Sequence, residues 1–204
     1  MPAASERGSA VRRFARAALA LAPGPGDYAS IGRTWRQDLL AGITVGIVAL
    51  PLALAFGVSS GVGAAAGLIT AIVAGVVAAV FGGSHVQVSG PTGAMVVVLA
   101  PIVASQGVGA VAVLSLMAGV ILLVLGASRL GRAVASGLAG PSGQTTGPYH
   151  PDRELLGQGL ASIAAGLFGG MPATGAIART AVNVRSGARS RLAAITHALV
   201  LLAV

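Results

Sequence analysis

"GGMPATGAIART", residues 169–180, sets an arginine inside an otherwise apolar stretch: from Leu155 to Val184, Arg179 is the one charged residue. Gly169-Gly170 and Pro172 interrupt any helix before it, and apolar residues resume beyond it. A second stretch, "SGPTGAM" at 89–95, repeats the design, a proline shortly before Thr-Gly-Ala and a large apolar residue. Each follows a Gly-rich break and opens a helical run. Paired Gly/Pro-interrupted spans in the two halves of a membrane chain are the sequence mark of a transporter's binding site. The physical reason is that a helix starting in mid-membrane leaves its first N–H groups unbonded along the axis. They carry about half a positive charge, so two such ends facing each other attract an anion. Thr92 and Thr174 stand where a hydroxyl would cap those ends or donate to a ligand.

Composition says what surrounds these breaks. The chain is 55% hydrophobic and 9% charged, against about 25% charged in a soluble domain. Residues 39–128 contain no Asp, Glu, Lys or Arg. A span needs about 20 mainly apolar residues, so this block holds four spans with short turns. The expected class is an all-α polytopic membrane protein. All 13 basic residues are arginines, set in short segments between apolar blocks, and the net charge is +8. This is a positive-inside pattern rather than a nucleic-acid surface, and it puts the amino terminus in the cytoplasm. With no cysteine, disulfides and thiolate metal sites are excluded.

The chain divides into a polar cytosolic leader, 1–37; first-half core spans, 38–130; a Gly/Ser/Pro/Thr-rich loop, 131–153; and second-half core spans, 154–204. The leader's apolar part, Ala17 to Ala22, is shorter than a signal peptide's core and ends at Pro23. Span one is expected over about 38–59, with Trp35 and neighbouring arginines at the interface and Pro51 predicting a kink or local unwinding. Span two runs over about 64–81. A run of about 14 apolar residues from Ala94 is a half-length helix, because it covers about 21 Å of a ~30 Å hydrocarbon core. Span four covers about 109–127, and a further helix about 154–168. The last run, from Leu192 to Val204, reads as a helix cut short. Arginines Arg129, Arg132, Arg185, Arg189 and Arg191 are expected at the cytoplasmic face. Gly42 with Gly46, Gly63 with Gly67 and Gly166 with Gly170 fit close helix packing. Arg179 costs several kcal/mol in mid-bilayer unless paired or hydrated, which makes it an anion-site candidate. The plainer alternative is that it snorkels to the cytoplasmic interface or pairs with a helix carboxyl terminus.

Three stretches resemble the sulfate permease (SulP) family of anion transporters: "DLLAGITVGIVALPLALAFGVSSG" (38–61), "VQVSGPTGAM" (86–95) and the run from "ELLGQG" to "ALVLL" (154–202). The resemblance implies a partial seven-plus-seven inverted-repeat fold, mainly its core domain, whose third and tenth spans are half-helices holding an anion. It places the substrate-binding positions at Thr92, Gly93, Ala94 and Met95, and at Thr174, Gly175, Ala176, Ile177, Ala178 and Arg179. In the first span it points to Leu52 and Phe56, Phe56 serving equally well as a packing residue. It implies an integral protein of a bacterial plasma membrane, an inorganic anion of the sulfate, bicarbonate or chloride class, and a homodimer in full-length members. The chain departs from the pattern by about four middle spans, the break falling near Arg132 and Ala133, and by the last spans and the STAS domain. "AVASGLAG" (133–140) resembles the tail of an eighth span.

Other signals carry no chemistry. "GVGAAAG" (61–67) lacks the acidic partner of a dinucleotide loop, and "GPSGQTTG" (140–147) lacks the lysine of a phosphate loop. His85, His150 and His197 are scattered, so no metal or other cofactor is expected. All five acids lie outside the apolar blocks and no nucleophile–base pair is present, which argues against an enzyme. Open alternatives are a non-transporting membrane remnant or interaction subunit, and a nucleobase-type carrier of the same fold.

Overall fold

The computed structural model describes residues 31–128 and 149–204, together with Gly24, Tyr28 and Leu130. The leader's apolar run and the segment with the expected chain break lie outside the described residues. Helix α1 is Ile31–Ser59, α2 Ala64–Phe81, α3 Gly93–Gln106, α4 Gly109–Ala127, α5 Pro151–Leu167, α6 Ile177–Arg185 and α7 Arg191–Leu202. Two short strands, β1 (Ser89–Gly90) and β2 (Thr174–Gly175), precede α3 and α6. Among the described residues, α1, α2 and α4 are long and apolar enough to cross a membrane. With 14 residues α3 reaches about 21 Å at 1.5 Å per residue, the half-length the sequence predicts.

Two boundaries and one expected kink differ from expectation. Helix α1 begins at Ile31, inside the expected leader, where the Thr34 hydroxyl donates to Asp38 Oδ2 at 2.6 Å one turn on. Trp35 is exposed with the Arg36 guanidinium 5.2 Å from its ring centre. The helix then continues through Pro51 without unwinding. Neighbouring helices re-order the backbone around such prolines in membranes. Helix α5 starts at Pro151 rather than after the loop, because proline suits the first helical position and Asp152 and Glu154 face the positive end of the helix.

The helices pack through small residues. Helix α1 lies against α7 and α2, while α5 lies against α4 and α2. Ala49, Ala53 and Ala71 form one fully buried cluster with Leu201. A side chain on Gly42 would run into the Ala193 carbonyl and Thr196, one on Gly46 into Val200, and one on Gly67 into the Ala53 carbonyl. Gly166 and Gly170 likewise face Ser115 and Thr70. Gly63 departs from the packing expectation: nothing lies within 4 Å of its open side, and its φ of 104° is what it contributes before α2.

Candidate anion site

The two broken segments cross. Ser89 pairs with Gly175 and Gly90 with Thr174 in an antiparallel ladder, extended by the Ala176 amide donating to the Val88 carbonyl at 2.8 Å. Each strand feeds directly into a helix, so the starts of α3 and α6 are brought to one place from opposite directions. The hydroxyls of Thr92 and Thr174 meet there, Oγ1 to Oγ1, at 3.2 Å. Neither caps its helix as expected. Thr92 occupies the N-cap of α3 without a side-chain hydrogen bond, and the N-cap of α6 is Ala176, two residues past Thr174.

Among the described residues, no hydrogen bond ties the amides of Gly93, Ala94, Ile177, Ala178 or Arg179. Those are the donors a helix start leaves over. Two expected donors are already engaged. The Ala176 amide serves the strand ladder, and the Met95 amide donates to the Thr92 carbonyl at 3.0 Å. Met95 packs its side chain against the apolar cluster of Leu99, Val111 and Met171. Gly93, Ala94, Ile177 and Ala178 are exposed, Ile177 to 80%, whereas Thr92, Thr174 and Gly175 are half-buried. Phe56 stands at the same place: a side chain on Gly93 would lie 3.6 Å from its ring. Leu52 is half-buried on the same helix, one turn earlier.

Arg179 does not snorkel to the interface. It is 2% exposed, and its Nη2 donates to the Pro91 carbonyl, immediately before the α3 N-cap. Its Nη1 is buried without a hydrogen-bond partner and packs so closely on Gly90 that a side chain there would meet it at 2.7 Å. The guanidinium therefore lies under the crossing, with one donor fixing the backbone and another uncommitted. Two neighbours on α6 hold the same segment. The Thr180 hydroxyl accepts from the Val88 amide at 3.1 Å, and Asn183 Nδ2 donates to the Val86 carbonyl at 2.8 Å.

Sequence reasoning missed the polar scaffold behind this crossing. Asp38 and Glu154 sit outside the apolar blocks in the chain yet are buried in the fold. Asp38 accepts from the Arg189 and Ser190 amides at 2.7 and 3.0 Å and from the Ser190 hydroxyl at 2.6 Å, tying α1 to the start of α7. Arg191, expected to be an interface arginine, is fully buried. Its Nη1 and Nη2 donate at 2.7 Å to the Ala79 and Gly82 carbonyls, covering the carboxyl end of α2. Arg185 and Arg189 are exposed. The signal for Arg191 was its place directly at the start of an apolar helix.

Comparisons with known proteins agree with this architecture. The transmembrane domain of the cyanobacterial bicarbonate transporter BicA superposes with a TM-score of 0.74 at 22% identity, covering 84% of this chain and 81% of that one. The chain is 54% identical over 56 residues to the Bacillus subtilis protein named "Putative sulfate transporter YvdB", and 43% identical over 56 residues to the bicarbonate transporter BicA of Synechocystis. Those stretches are 28% of this chain but only 11% and 10% of the relatives' lengths. The family model described as the sulfate permease family matches residues 35–137 and 142–204. The chain is an integral membrane protein and a member of the sulfate permease family.

Proposed function

We propose that this chain binds an inorganic anion of the sulfate, bicarbonate or chloride class between the starts of α3 and α6, as the binding part of a secondary anion transporter. The observation that carries the reading is the convergence, at one crossing, of five unbonded helix-start amides and an uncommitted Arg179 Nη1. Amides, the Thr92 and Thr174 hydroxyls and a guanidinium are all donors toward an anion, and Phe56 supplies an apolar wall beside them. A nucleobase-type carrier would need a carboxylate at the crossing. Asp38 is instead bonded at the start of α7, and Glu154 to the segment before β1. The exposure of Gly93, Ala94, Ile177 and Ala178 leaves one side of the crossing without a wall among the described residues. That supports a chain that binds an anion but does not carry it across by itself.

The test is equilibrium binding of labelled sulfate, bicarbonate and chloride to the chain in lipid nanodiscs. Saturable binding is expected for at least one anion. Replacing Arg179 by Gln removes a charge-assisted donor, about 1.5 to 3 kcal/mol, or roughly ten- to a hundredfold in affinity. Binding by Arg179→Gln as tight as by the parent, with both folded, overturns the role of Arg179 and leaves the helix ends as the site.

A further inference from the structure

We infer that Glu154, one helix away from the crossing, is a positioning residue that sets the geometry of the strands leading into both half-helices. The proposal rests on the anion-site reading above, and goes beyond it by naming a group that acts through others. Glu154 is 6% exposed and stands in the first turn of α5. Its Oε2 accepts from the Gly83 and Ser84 amides at 2.9 and 3.1 Å, where the chain leaves α2 and becomes extended. Its Oε1 accepts from Gln87 Nε2 at 2.7 Å and Gln158 Nε2 at 2.9 Å.

Those two glutamines carry the constraint onward. Gln158 Nε2 also donates to the Ser89 hydroxyl, in β1. The Gln87 side-chain amide nitrogen lies against Gly175, in β2, so closely that a side chain on Gly175 would collide with it. One carboxylate thus fixes the approach of β1 by two routes and the approach of β2 through Gln87. An acceptor-only group is needed, because all four of its partners are N–H donors. A buried carboxylate satisfied by four donors holds them in one arrangement, since any donor it loses is left unpaired in a water-poor place. Gly82 joins the two charged groups of this corner. Its carbonyl takes Arg191 Nη2 at 2.7 Å, while the next two amides take Glu154. The break after α2 therefore has its carbonyl end held by a cation from α7 and its amide end by an anion from α5.

Two substitutions in the full chain, in nanodiscs, separate positioning from simple capping. Glu154→Gln turns an acceptor into a mixed group that faces donors with an NH2. Gln87→Leu leaves the Glu154 bonds to Gly83, Ser84 and Gln158 in place and cuts only the Gln87 route, the one that reaches both strands. Amide hydrogen exchange is followed at 82–84, at 88–90 with 174–176, and across α1 and α7. Expected for Gln87→Leu is faster exchange in the two strand segments, unchanged exchange at 82–84 and in α1 and α7, and sulfate or bicarbonate affinity about tenfold weaker, the scale on which outer-shell partners act. Glu154→Gln is expected to add faster exchange at 82–84. Strand exchange and affinity both unchanged in Gln87→Leu, with Glu154→Gln affecting 82–84 alone, overturns the inference and makes Glu154 a cap. Should Glu154→Gln not fold, Gln87→Leu decides by itself. A parent chain that binds neither anion overturns the proposed site, and the exchange result still tells positioning from capping.

Discussion

Arg189 and Arg191 sit two residues apart at the start of α7, yet replacing each by Met should have very different consequences. Either change removes one positive charge from the same turn before α7, so any effect of charge count on membrane orientation is equal. Arg191 is fully buried and donates at 2.7 Å to the Ala79 and Gly82 carbonyls and at 3.3 Å to the Val80 carbonyl. Methionine keeps the apolar stem but leaves these carbonyls at the end of α2 without donors. Two short bonds from a charged donor contribute about 1.5 to 3 kcal/mol each. Water at this end of α2 recovers part of this, so a net loss of about 3 kcal/mol is expected, at the low end of what breaking one partner of a buried charged contact costs. The exposed Arg189 uses its backbone amide toward Asp38, which methionine retains. Its replacement should cost under about 0.5 kcal/mol. Reversible unfolding in mixed detergent micelles, followed by circular dichroism, measures both. Equal losses for the two variants would refute the capping role of Arg191.

Three further outcomes follow from the packing and the charge pattern. Gly67→Val should destabilise the chain by about 2 to 3 kcal/mol, because its side chain must enter the Ala53 carbonyl; unfolding midpoints unchanged from the parent would contradict the α1–α2 contact. Proteoliposomes containing the chain alone should take up sulfate, bicarbonate and chloride no faster than empty liposomes, and clear uptake would show that the exposed crossing needs no further wall. A cysteine placed beside Arg16 should resist impermeant external reagent in intact cells and react after lysis, the reverse result putting the amino terminus outside.

The helix inventory was legible because each signal is local. Residues 39–128 hold no Asp, Glu, Lys or Arg, and glycine, proline and serine mark where that block breaks. The expected 64–81 and 109–127 coincide with α2 and α4. The half-length of α3 followed from counting apolar residues after Pro91. The boundaries that were missed, at Ile31 and Pro151, depend on hydrogen bonds and helix-end charges that composition averages away. Pro51 misled in the other direction, since local chemistry predicts a disruption that neighbouring helices absorb.

What the amino-acid sequence determined by itself was the class of protein, the two breaks and the isolated Arg179. Burying charge and backbone in lipid is so costly that composition alone constrains these. Only the tertiary structure decided which donors remain uncommitted, and which charged residues hold the frame. The amides of Met95 and Ala176 look the same in sequence as those of Ala94 and Ile177, but one is taken by the Thr92 carbonyl and the other by the Val88 carbonyl. Arg191 resembles Arg189, and Glu154 resembles any acid in a loop, until α2 and α5 bring the Gly82–Ser84 turn between them. These partners lie from 70 to 109 positions apart. A hydrogen bond across that separation depends on how whole helices pack, which no local pattern encodes.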